Sequence, residues 1–269
     1  MSLPHYLSNE LLVNEIGRSL SGKDPIFPSR EDIRKIGPIN TLREFKHLGL
    51  QSLRVLLNYT NISPSSAVLD IGSGYGRLAI PLSRFLSTDG SYVGIDVMQD
   101  AVVDCRQRIS NEFDQFTFEH LDVHNGIYNA DTSQAAADAR FDLPDQQFDV
   151  VFMFSVFSHM MPEDVSAYLS EIARVLKPGG MLMTTFFVLN NFSRTQIENG
   201  ETRRTFAHKH GHVFVDDSLH PETAVAYEQS YLEEILAASP LEHVHTFYGQ
   251  WAGHRWSMTG QDAVICVKP

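Results

Sequence analysis

The chain has 269 residues, of which 43% are hydrophobic and 20% are charged, and its formal net charge is −12. This length allows one large domain, or one domain with an added lid, and the composition is ordinary for a globular protein. Binding to a nucleic-acid backbone requires clustered Lys and Arg, and the sequence has no such cluster, so we expect no nucleic-acid partner.

The N-terminus and the cysteines favour a cytoplasmic protein. The first ten residues, MSLPHYLSNE, lack the basic and apolar regions of a signal peptide, and no apolar run is long enough to span a bilayer. Cys105 and Cys266 lie in apolar-patterned segments, which favours buried thiols over a disulfide. We therefore expect a cytoplasmic location without membrane insertion, and the sequence specifies no oligomeric state.

The first predicted elements, in residues 1–60, are helices. Thr41 and Glu44 have the spacing of a capping box at a helix N-terminus. The apolar face of the helix that follows is formed by Phe45, Leu48, Leu53, Leu56 and Leu57. This segment precedes every predicted strand, and it serves either as a lid over a site or as packing.

From Ala67 onward, strands alternate with helices. The predicted strands are AVLDI, YVGID, FTFEHLDV, FDVVFMF and MLMTTFF, followed near the end by HVHTFYGQW and QDAVICVK. The fourth is apolar almost throughout, as strands buried on both faces of a parallel sheet are. The alternation predicts a doubly wound, mostly parallel α/β sheet of seven strands within residues 61–269, whose last two strands pair antiparallel.

Two stretches do not fit the alternation. Residues 124–147 are polar and rich in small residues, which predicts a loop, and residues 188–226 form a longer insertion after the fifth strand. Ligands of open α/β sheets bind at the carboxyl ends of the strands, where such insertions lie. Each insertion either shapes a substrate pocket or is surface decoration.

The first strand runs into a turn with a glycine at every second position, in the stretch VLDIGSGYGRLAIPL. Gly72, Gly74 and Gly76 allow a ligand to approach the backbone closely. A dinucleotide or S-adenosylmethionine is compatible with such a turn, but the dinucleotide motif requires a glycine where Arg77 stands. Asp70 precedes the first glycine by two residues, so it either meets a cationic amino group or orders the turn.

Five segments together resemble the class I S-adenosylmethionine-dependent methyltransferases, in the family's order and approximate spacing over residues 66–187. They are LDIGSGYG, YVGIDV, HLDVHN, FDVVFMFSVFSHM and ARVLKPGGMLMTTFF. The resemblance implies a Rossmann-like fold, S-adenosylmethionine as the cofactor, and a methyltransferase activity. Asp70, Asp96 and Asp122 stand at the ends of three successive predicted strands, a pattern that packing alone does not explain.

The resemblance also implies which positions bind the cofactor. The residues implied to contact its methionine part are Asp70, Gly72, Ser73, Gly74 and Gly76. Those implied to contact the ribose and the adenine are Asp96, Val97, Asp122 and Val123, with the Asp96 carboxylate accepting from the ribose hydroxyls and the Asp122 carboxylate from the adenine amino group. Phe154 lies in the fourth-strand segment, which borders the methyl-transfer site in this family.

His159 is the candidate general base, because it follows the fourth predicted strand in SVFSHM and its ordinary pKa suits proton transfer. The competing interpretation is a histidine that packs against, or caps, the helix beginning at Pro162. Tyr75 and Arg77 in the glycine turn contact the cofactor or the acceptor, or they are ordinary residues of a helix start.

The absence of two motifs from the sequence narrows the range of possible methyl acceptors. The D/N-P-P-Y/F element of DNA and glutamine amino-methyltransferases is replaced by FSVFSHM, and neither cysteine follows a proline, as a cytosine C5 nucleophile does. We therefore expect a small molecule, a sugar or a lipid headgroup as the acceptor, methylated at oxygen. His208, His210 and His212 alternate in HKHGH, but their spacing matches no specific metal site, so no metal is predicted.

Two other functions remain open at the level of the sequence. An NAD-dependent oxidoreductase has a related fold, although Arg77 and the LKPGG segment count against it. A non-catalytic protein that binds S-adenosylmethionine would keep the same glycines and acids.

Overall fold

The computed structural model describes residues 5–269 except 22–23, 37–38, 127, 130–131, 133 and 256. The chain divides into two compact units, residues 1–121 and residues 122–269. The helices and strands of the first unit are α1 (His5–Ser19), α2 (Arg30–Lys35), α3 (Leu42–Tyr59), β1 (Ala67–Ile71), α4 (Ala79–Leu82), β2 (Ser91–Asp96), α5 (Gln99–Cys105) and β3 (Phe116–His120).

The second unit contains the remaining regular elements. They are β4 (Phe148–Met153), α6 (Pro162–Val175), β5 (Leu176–Leu189), α7 (Asn191–Glu198), β6 (His208–His210), β7 (Val213–Val215), β8 (Val225–Glu228), α8 (Gln229–Ala238), β9 (Glu242–Phe247) and β10 (Asp262–Val267).

Helix α3 begins at the capping box that its sequence predicts. The Thr41 hydroxyl accepts from the Glu44 N–H at 3.2 Å, and the Glu44 carboxylate accepts from the Thr41 N–H at 3.1 Å. These two bonds satisfy donors that a helix N-terminus otherwise leaves unpaired. Phe45 and Leu53 are fully buried, so the apolar face of this helix is anchored in the core of the first unit.

Strands β1, β2 and β3 of the first unit are parallel, in the order β3-β2-β1. The third strand is shorter than predicted, because it ends at His120 rather than Val123. The Leu121 N–H donates to the Asp96 carbonyl at 2.9 Å, and the backbone then leaves the strand conformation. Asp122 therefore follows the strand instead of lying in it.

In the second unit, β5 is parallel to β4 and β8, while β10 runs antiparallel beside it and pairs with β9. This confirms the mostly parallel α/β class and the antiparallel C-terminal pair. The described residues form ten strands rather than the predicted seven. The additional strands are β6, β7 and β8, which build a small sheet extension from the insertion at residues 188–226.

The other predictions about segments agree with the structure where it describes them. The described part of 124–147 has no helix or strand apart from a 3₁₀ turn at Ala136–Asp138 and an isolated bridge between Asn125 and Asn129. Cys105 and Cys266 are buried free thiols, as expected. Among the described residues, no helix has the length and apolarity required to cross a membrane.

Candidate active site

The glycine turn has a backbone conformation that side chains disfavour. Gly72, Gly74 and Gly76 have φ angles of 82°, 50° and 78°. Such left-handed angles cost L-residues roughly 1–2 kcal/mol each, whereas glycine adopts them freely. A Cβ atom at Gly76 would also lie 2.6 Å from Cδ1 of Ile109. The alternating glycines therefore define one specific turn geometry after β1.

Asp96 ties this turn to the end of β2. Its carboxylate is buried, with Oδ2 accepting from the Gly74 N–H at 2.6 Å and Oδ1 from the Met98 N–H at 2.8 Å. Burial raises the pKa of Asp96, and the two N–H donors oppose that shift. A carboxylate has about four acceptor positions, so each oxygen can still accept from one hydroxyl. Val97, between Asp96 and Met98, directs its carbonyl to His120 Nε2 at 3.1 Å.

Asp70 lies in β1, directly before the glycine turn, and is only 4% exposed. Its Oδ2 accepts from the Tyr92 hydroxyl at 2.6 Å. Burial raises the pKa of the Asp70 carboxyl to about 7, although the Tyr92 hydrogen bond and the positive charge of Arg77 both lower it. Tyr92 is a partner that the sequence pattern did not reveal, since it stands at the start of an apolar strand.

Ser73 has a buried hydroxyl for which the described residues offer no hydrogen-bond partner. Buried polar groups are nearly always paired, so an orphaned hydroxyl calls for an explanation. A polar ligand seated in the glycine turn would supply the missing partner. Together with the spare acceptor positions of Asp96, this hydroxyl fits a ligand that carries both donors and acceptors, as S-adenosylmethionine does.

Asp122 begins the second unit, and its carboxylate is exposed. The side-chain amide of Asn129 donates to Asp122 Oδ1 at 3.1 Å and to the Val123 carbonyl at 3.0 Å. Val123 itself is buried. The Asn129 amide therefore donates to the same Asp122 carboxylate that is expected, from the sequence, to accept from the adenine amino group.

A chain of hydrogen bonds follows the end of β4. Ser155, next to the half-buried Phe154, has a φ of 60°, and its N–H donates to Thr185 Oγ1 at 2.8 Å. The hydroxyls of Ser155 and Thr185 both donate to Gln261 Oε1, at 2.9 and 2.7 Å. The Gln261 amide donates in turn to Ser158 Oγ at 3.0 Å.

The direction of these bonds leaves the Ser155 oxygen as an acceptor. Thr185 Oγ1 already accepts from the Ser155 N–H, so its own proton is directed to Gln261 Oε1. The same amide oxygen takes the Ser155 proton. The exposed Ser155 hydroxyl can then accept a hydrogen bond from a neutral N–H or O–H group. Sequence patterns give no signal for this cluster, because Gln261 is 106 positions from Ser155.

His159 is in a 3₁₀ turn, Phe157–His159, and its Nδ1 lies 2.9 Å from the Glu222 carbonyl oxygen. A carbonyl only accepts, so Nδ1 carries the proton and Nε2 keeps its lone pair. Burial lowers the pKa of His159, which keeps the ring neutral at pH 7. Nδ1 of His159 is therefore directed at Glu222 and not at the start of helix α6, whose N-cap residue, Met161, makes no side-chain cap bond.

Glu222 joins the two insertions beside His159. Its backbone carbonyl accepts from His159, and its carboxylate accepts from the Gly126 N–H at 2.8 Å. Gly126 belongs to the insertion at 124–147, and Glu222 belongs to the one at 188–226. The two stretches that the sequence left unassigned therefore meet next to the candidate base.

The alternating histidines do not form a metal centre in the described structure. His208 and His210 are exposed on β6, and His212 stacks on Tyr231 with ring centroids 4.6 Å apart. No group of three or more potential metal ligands occurs among the residues that the structure describes.

Comparison with known proteins identifies a family that matches part of the chain. Residues 68–180 match the family described as "Methyltransferase domain". This part of the chain is a class I S-adenosylmethionine-dependent methyltransferase domain. The matched residues begin in β1 and end in β5, so the domain includes the glycine turn, Asp96, Asp122 and His159.

Two curated relatives and one solved structure show how far the similarity extends. The chain is 26% identical over 148 residues to a tRNA N(3)-cytidine methyltransferase of Gallus gallus, covering 54% of this chain and 36% of that one. It is 28% identical over 170 residues to a ubiquinone/menaquinone biosynthesis C-methyltransferase of Hydrogenovibrio crunogenus, covering 60% and 61%. A Pyrococcus horikoshii protein structure shares the fold, with a TM-score of 0.57, 16% identity and coverage of 90% and 100%. The chain thus spans less than two thirds of either curated relative.

Proposed function

We propose that the whole chain is an S-adenosylmethionine-dependent methyltransferase, and that the first unit holds the methionine and ribose parts of the cofactor. The observation that carries the proposal is the Asp96 carboxylate, which is fixed by the Gly74 and Met98 N–H groups and keeps one acceptor position on each oxygen. That arrangement suits the two neighbouring hydroxyls of a ribose. The orphaned Ser73 hydroxyl supports a ligand in the same turn.

The other cofactor-binding residues extend the proposal. Asp70 and the glycine turn receive the methionine part, and Asp122 and Val123 receive the adenine. The adenine amino group would share the Asp122 carboxylate with the Asn129 amide or take its place at Oδ1, and we propose that it takes that place. Phe154 borders the methyl group. When bound, S-adenosylmethionine supplies a methyl carbon that its sulfonium already activates, so the chain's main task is alignment of the acceptor.

We propose His159 as the base that removes the acceptor's proton. The Glu222 carbonyl fixes the tautomer whose Nε2 can take that proton, and burial keeps the ring neutral. Ser155 would accept a hydrogen bond from the acceptor, with Thr185 and Gln261 fixing its orientation. These groups are uncharged, which favours a neutral acceptor with a hydroxyl group.

A small molecule, sugar or lipid headgroup is therefore our proposed acceptor, methylated at oxygen. Relatives of the chain differ in what they act on, since their names specify tRNA cytidine, arsenite and fatty acids. The net charge of −12 argues against tRNA, because binding to a phosphate backbone requires clustered positive charge. A cytoplasmic location remains a prediction from the sequence.

Calorimetry with S-adenosylhomocysteine and, separately, with NADH tests the cofactor. We expect binding of S-adenosylhomocysteine alone, and Asp96→Ala should weaken it by roughly 1–3 kcal/mol through lost hydrogen bonds. Asp89→Ala, which removes an exposed acid of the same unit, is the control and should bind as the unaltered chain does. Binding of NADH without S-adenosylhomocysteine would refute the proposal in favour of an oxidoreductase.

Transfer of a labelled methyl group tests the acceptor. The purified chain is incubated with methyl-labelled S-adenosylmethionine and either a small-molecule extract or total tRNA. Label in a small product whose methyl group is placed on oxygen by NMR supports O-methylation of a hydroxyl compound, and a methyl group on nitrogen or carbon contradicts it. Label in the tRNA refutes the proposed acceptor class, and cofactor binding with no label in either mixture favours a non-catalytic binding protein.

A further inference from the structure

Residues 24–36 of the first unit form a strap that lies against the glycine turn. At its C-terminal end, Ile36 Cγ2 is 3.6 Å from the position that a Cβ atom would occupy on Gly74. The strap includes helix α2, and two sets of polar contacts fasten it to the turn. Both sets use Tyr75, the residue between Gly74 and Gly76.

Lys35 makes the first set of contacts, which we call the latch. Its Nζ lies 2.9 Å from Asp32 Oδ1, 2.9 Å from Asp100 Oδ2 and 3.1 Å from the Tyr75 hydroxyl. The Tyr75 hydroxyl donates to Asp100 Oδ2 at 2.7 Å. Asp100 is near the start of α5, four residues after Asp96. The latch therefore connects the strap with the turn and with the segment that follows β2.

Arg108 makes the second set, at the other end of the strap. Its guanidinium donates to the Ile26 carbonyl and, at 3.1 Å, to the Tyr75 carbonyl. Ile26 is fully buried, so apolar packing also anchors this end of the strap, and Ile33, in α2 near Lys35, is fully buried as a second anchor. The Arg108 end is held by contacts from which water is largely excluded.

The two fastenings differ in exposure. The side chains of Lys35 and Asp100 are 41% and 56% exposed, whereas that of Arg108 is 13% exposed. Exposed ion pairs contribute little to stability and are screened by salt, whereas buried contacts are screened much less. The polar contacts of the latch can therefore break while the Arg108 end stays in place, and the residues around Lys35 and Ile36 can then move relative to the buried anchors Ile26 and Ile33.

We propose that the strap gates the cofactor site, and that Lys35 is the positioning residue that keeps the gate closed over the glycine turn. This inference rests on the proposed function, because the gated ligand is the proposed cofactor. Simple packing would not require a lysine that reaches Tyr75 and Asp100 together. Tyr75 lies in the glycine turn, and Asp100 lies in the segment that follows Asp96. These two segments carry the proposed cofactor-binding groups.

The test is the exchange rate of S-adenosylhomocysteine, measured by stopped-flow displacement. Lys35→Met should speed both release and uptake by about fivefold or more, with a smaller change in the dissociation constant. Lys35→Arg should restore slow exchange. Arg30→Met, at an exposed position of the same helix, is the matched control and should leave both rates unchanged. Asp100→Asn provides a second way to break the latch.

Two further readouts separate a gate from a merely structural contact. Raising the salt concentration should speed release from the unaltered chain but not from Lys35→Met. Amide hydrogen exchange in residues 24–36 should rise in Lys35→Met, while the free energy of global unfolding changes little. Unchanged rates in both Lys35→Met and Asp100→Asn, with the unaltered chain still binding S-adenosylhomocysteine, would overturn the gate and leave the proposed function standing. No binding by the unaltered chain would remove the proposed function, and the gate with it.

Discussion

The two units of the chain hold their candidate functional groups by different means. In the first unit, Asp96 is fixed by backbone N–H groups of Gly74 and Met98, within a strand–turn pattern visible in the sequence. In the second unit, Ser155 is held by the side chains of Thr185 and Gln261, which belong to distant strands or loops. A local backbone motif therefore defines one region, and long-range side-chain contacts define the other.

This difference predicts how each unit responds to substitution. Groups fixed by a local backbone motif should fail in binding when a single acid or glycine is changed. Groups held by long-range contacts should fail in chemistry or in stability, because their position depends on the surrounding fold. Four substitutions test that distinction.

The largest effect is expected for His159→Gln in the second unit. With an acceptor on which the unaltered chain is active, the methylation rate should fall by roughly 10²–10⁴-fold, the usual contribution of a general base. Affinity for S-adenosylhomocysteine should stay the same. Because burial lowers the pKa of His159, the unaltered rate should persist below pH 6.5 before it declines. An unchanged rate would remove His159 from the mechanism and leave it a packing residue.

Asp262→Ala should cause the largest loss of stability in the same unit. The Asp262 carboxylate is 1% exposed and accepts from the Val188 N–H, the Gly249 N–H and the Trp251 Nε1–H at 2.6–2.7 Å. Its removal orphans three donors, so the free energy of unfolding in urea should fall by roughly 2–4 kcal/mol.

Glu242→Ala is the control for that measurement. Glu242 is exposed on β9, beside β10, so its loss should change the free energy of unfolding by less than about 0.5 kcal/mol. Equal effects of Asp262→Ala and Glu242→Ala would contradict the view that long-range side-chain contacts stabilise this unit.

Asp70→Asn tests how a buried acid of the first unit affects stability. Burial raises the pKa of the Asp70 carboxyl to about 7, so the folded chain holds a proton that the unfolded chain releases near pH 4. The carboxyl therefore lowers stability increasingly as pH rises from about 4 to 7. Asparagine carries no such charge and can still accept from Tyr92. We expect Asp70→Asn to be more stable at pH 8 by roughly 1–3 kcal/mol, since a tenfold change in proton affinity corresponds to about 1.4 kcal/mol.

The same variant reports on cofactor binding. If Asp70 contacts the methionine part, Asp70→Asn should bind S-adenosylhomocysteine more weakly even though it folds more stably. Burial also raises the pKa of Asp262, to about 6, so the contribution of Asp70 is taken as the difference between Asp70→Asn and the unaltered chain at each pH, since both keep Asp262. Greater stability with unchanged affinity would mean that Asp70 only orders the turn.

The comparison between units also explains how much could be predicted from sequence. The parallel strands, the capping box of α3 and the glycine turn follow from short-range patterns, and the structure has them. Strands β6 to β8 could not be predicted, because strands of only three or four residues are too short to show a period, and the Gln261 contacts could not, because Gln261 is 106 positions from Ser155. The third strand was predicted too long, since the apolar residues Leu121 and Val123 follow its last residue, His120. The glycine-turn residues of the proposed site could be predicted from the sequence, whereas the contacts of Tyr92 and Asn129 with that site could not.

The smallest effect is expected for Asn129→Ala. The Asn129 amide donates to Asp122 Oδ1 and to the Val123 carbonyl, which are part of the proposed adenine site. On the proposal that the adenine amino group takes the place of the Asn129 amide at Asp122 Oδ1, cofactor binding breaks that one hydrogen bond, whose net value in an exposed position is modest. Removal of the amide should raise the affinity for S-adenosylhomocysteine by about two- to fivefold, as measured by calorimetry.

The control for Asn129→Ala is Gln134→Ala, an exposed position in the same insertion, which should leave the affinity unchanged. In an Asp122→Ala background the gain should vanish, because the amide then has no carboxylate to compete for. If Asn129→Ala still raised the affinity in the Asp122→Ala background, the cause would be movement of the insertion rather than competition for Asp122. A loss of affinity in Asn129→Ala would show that the amide supports the bound cofactor. In that case this part of the second unit would depend on a local contact, as the first unit does.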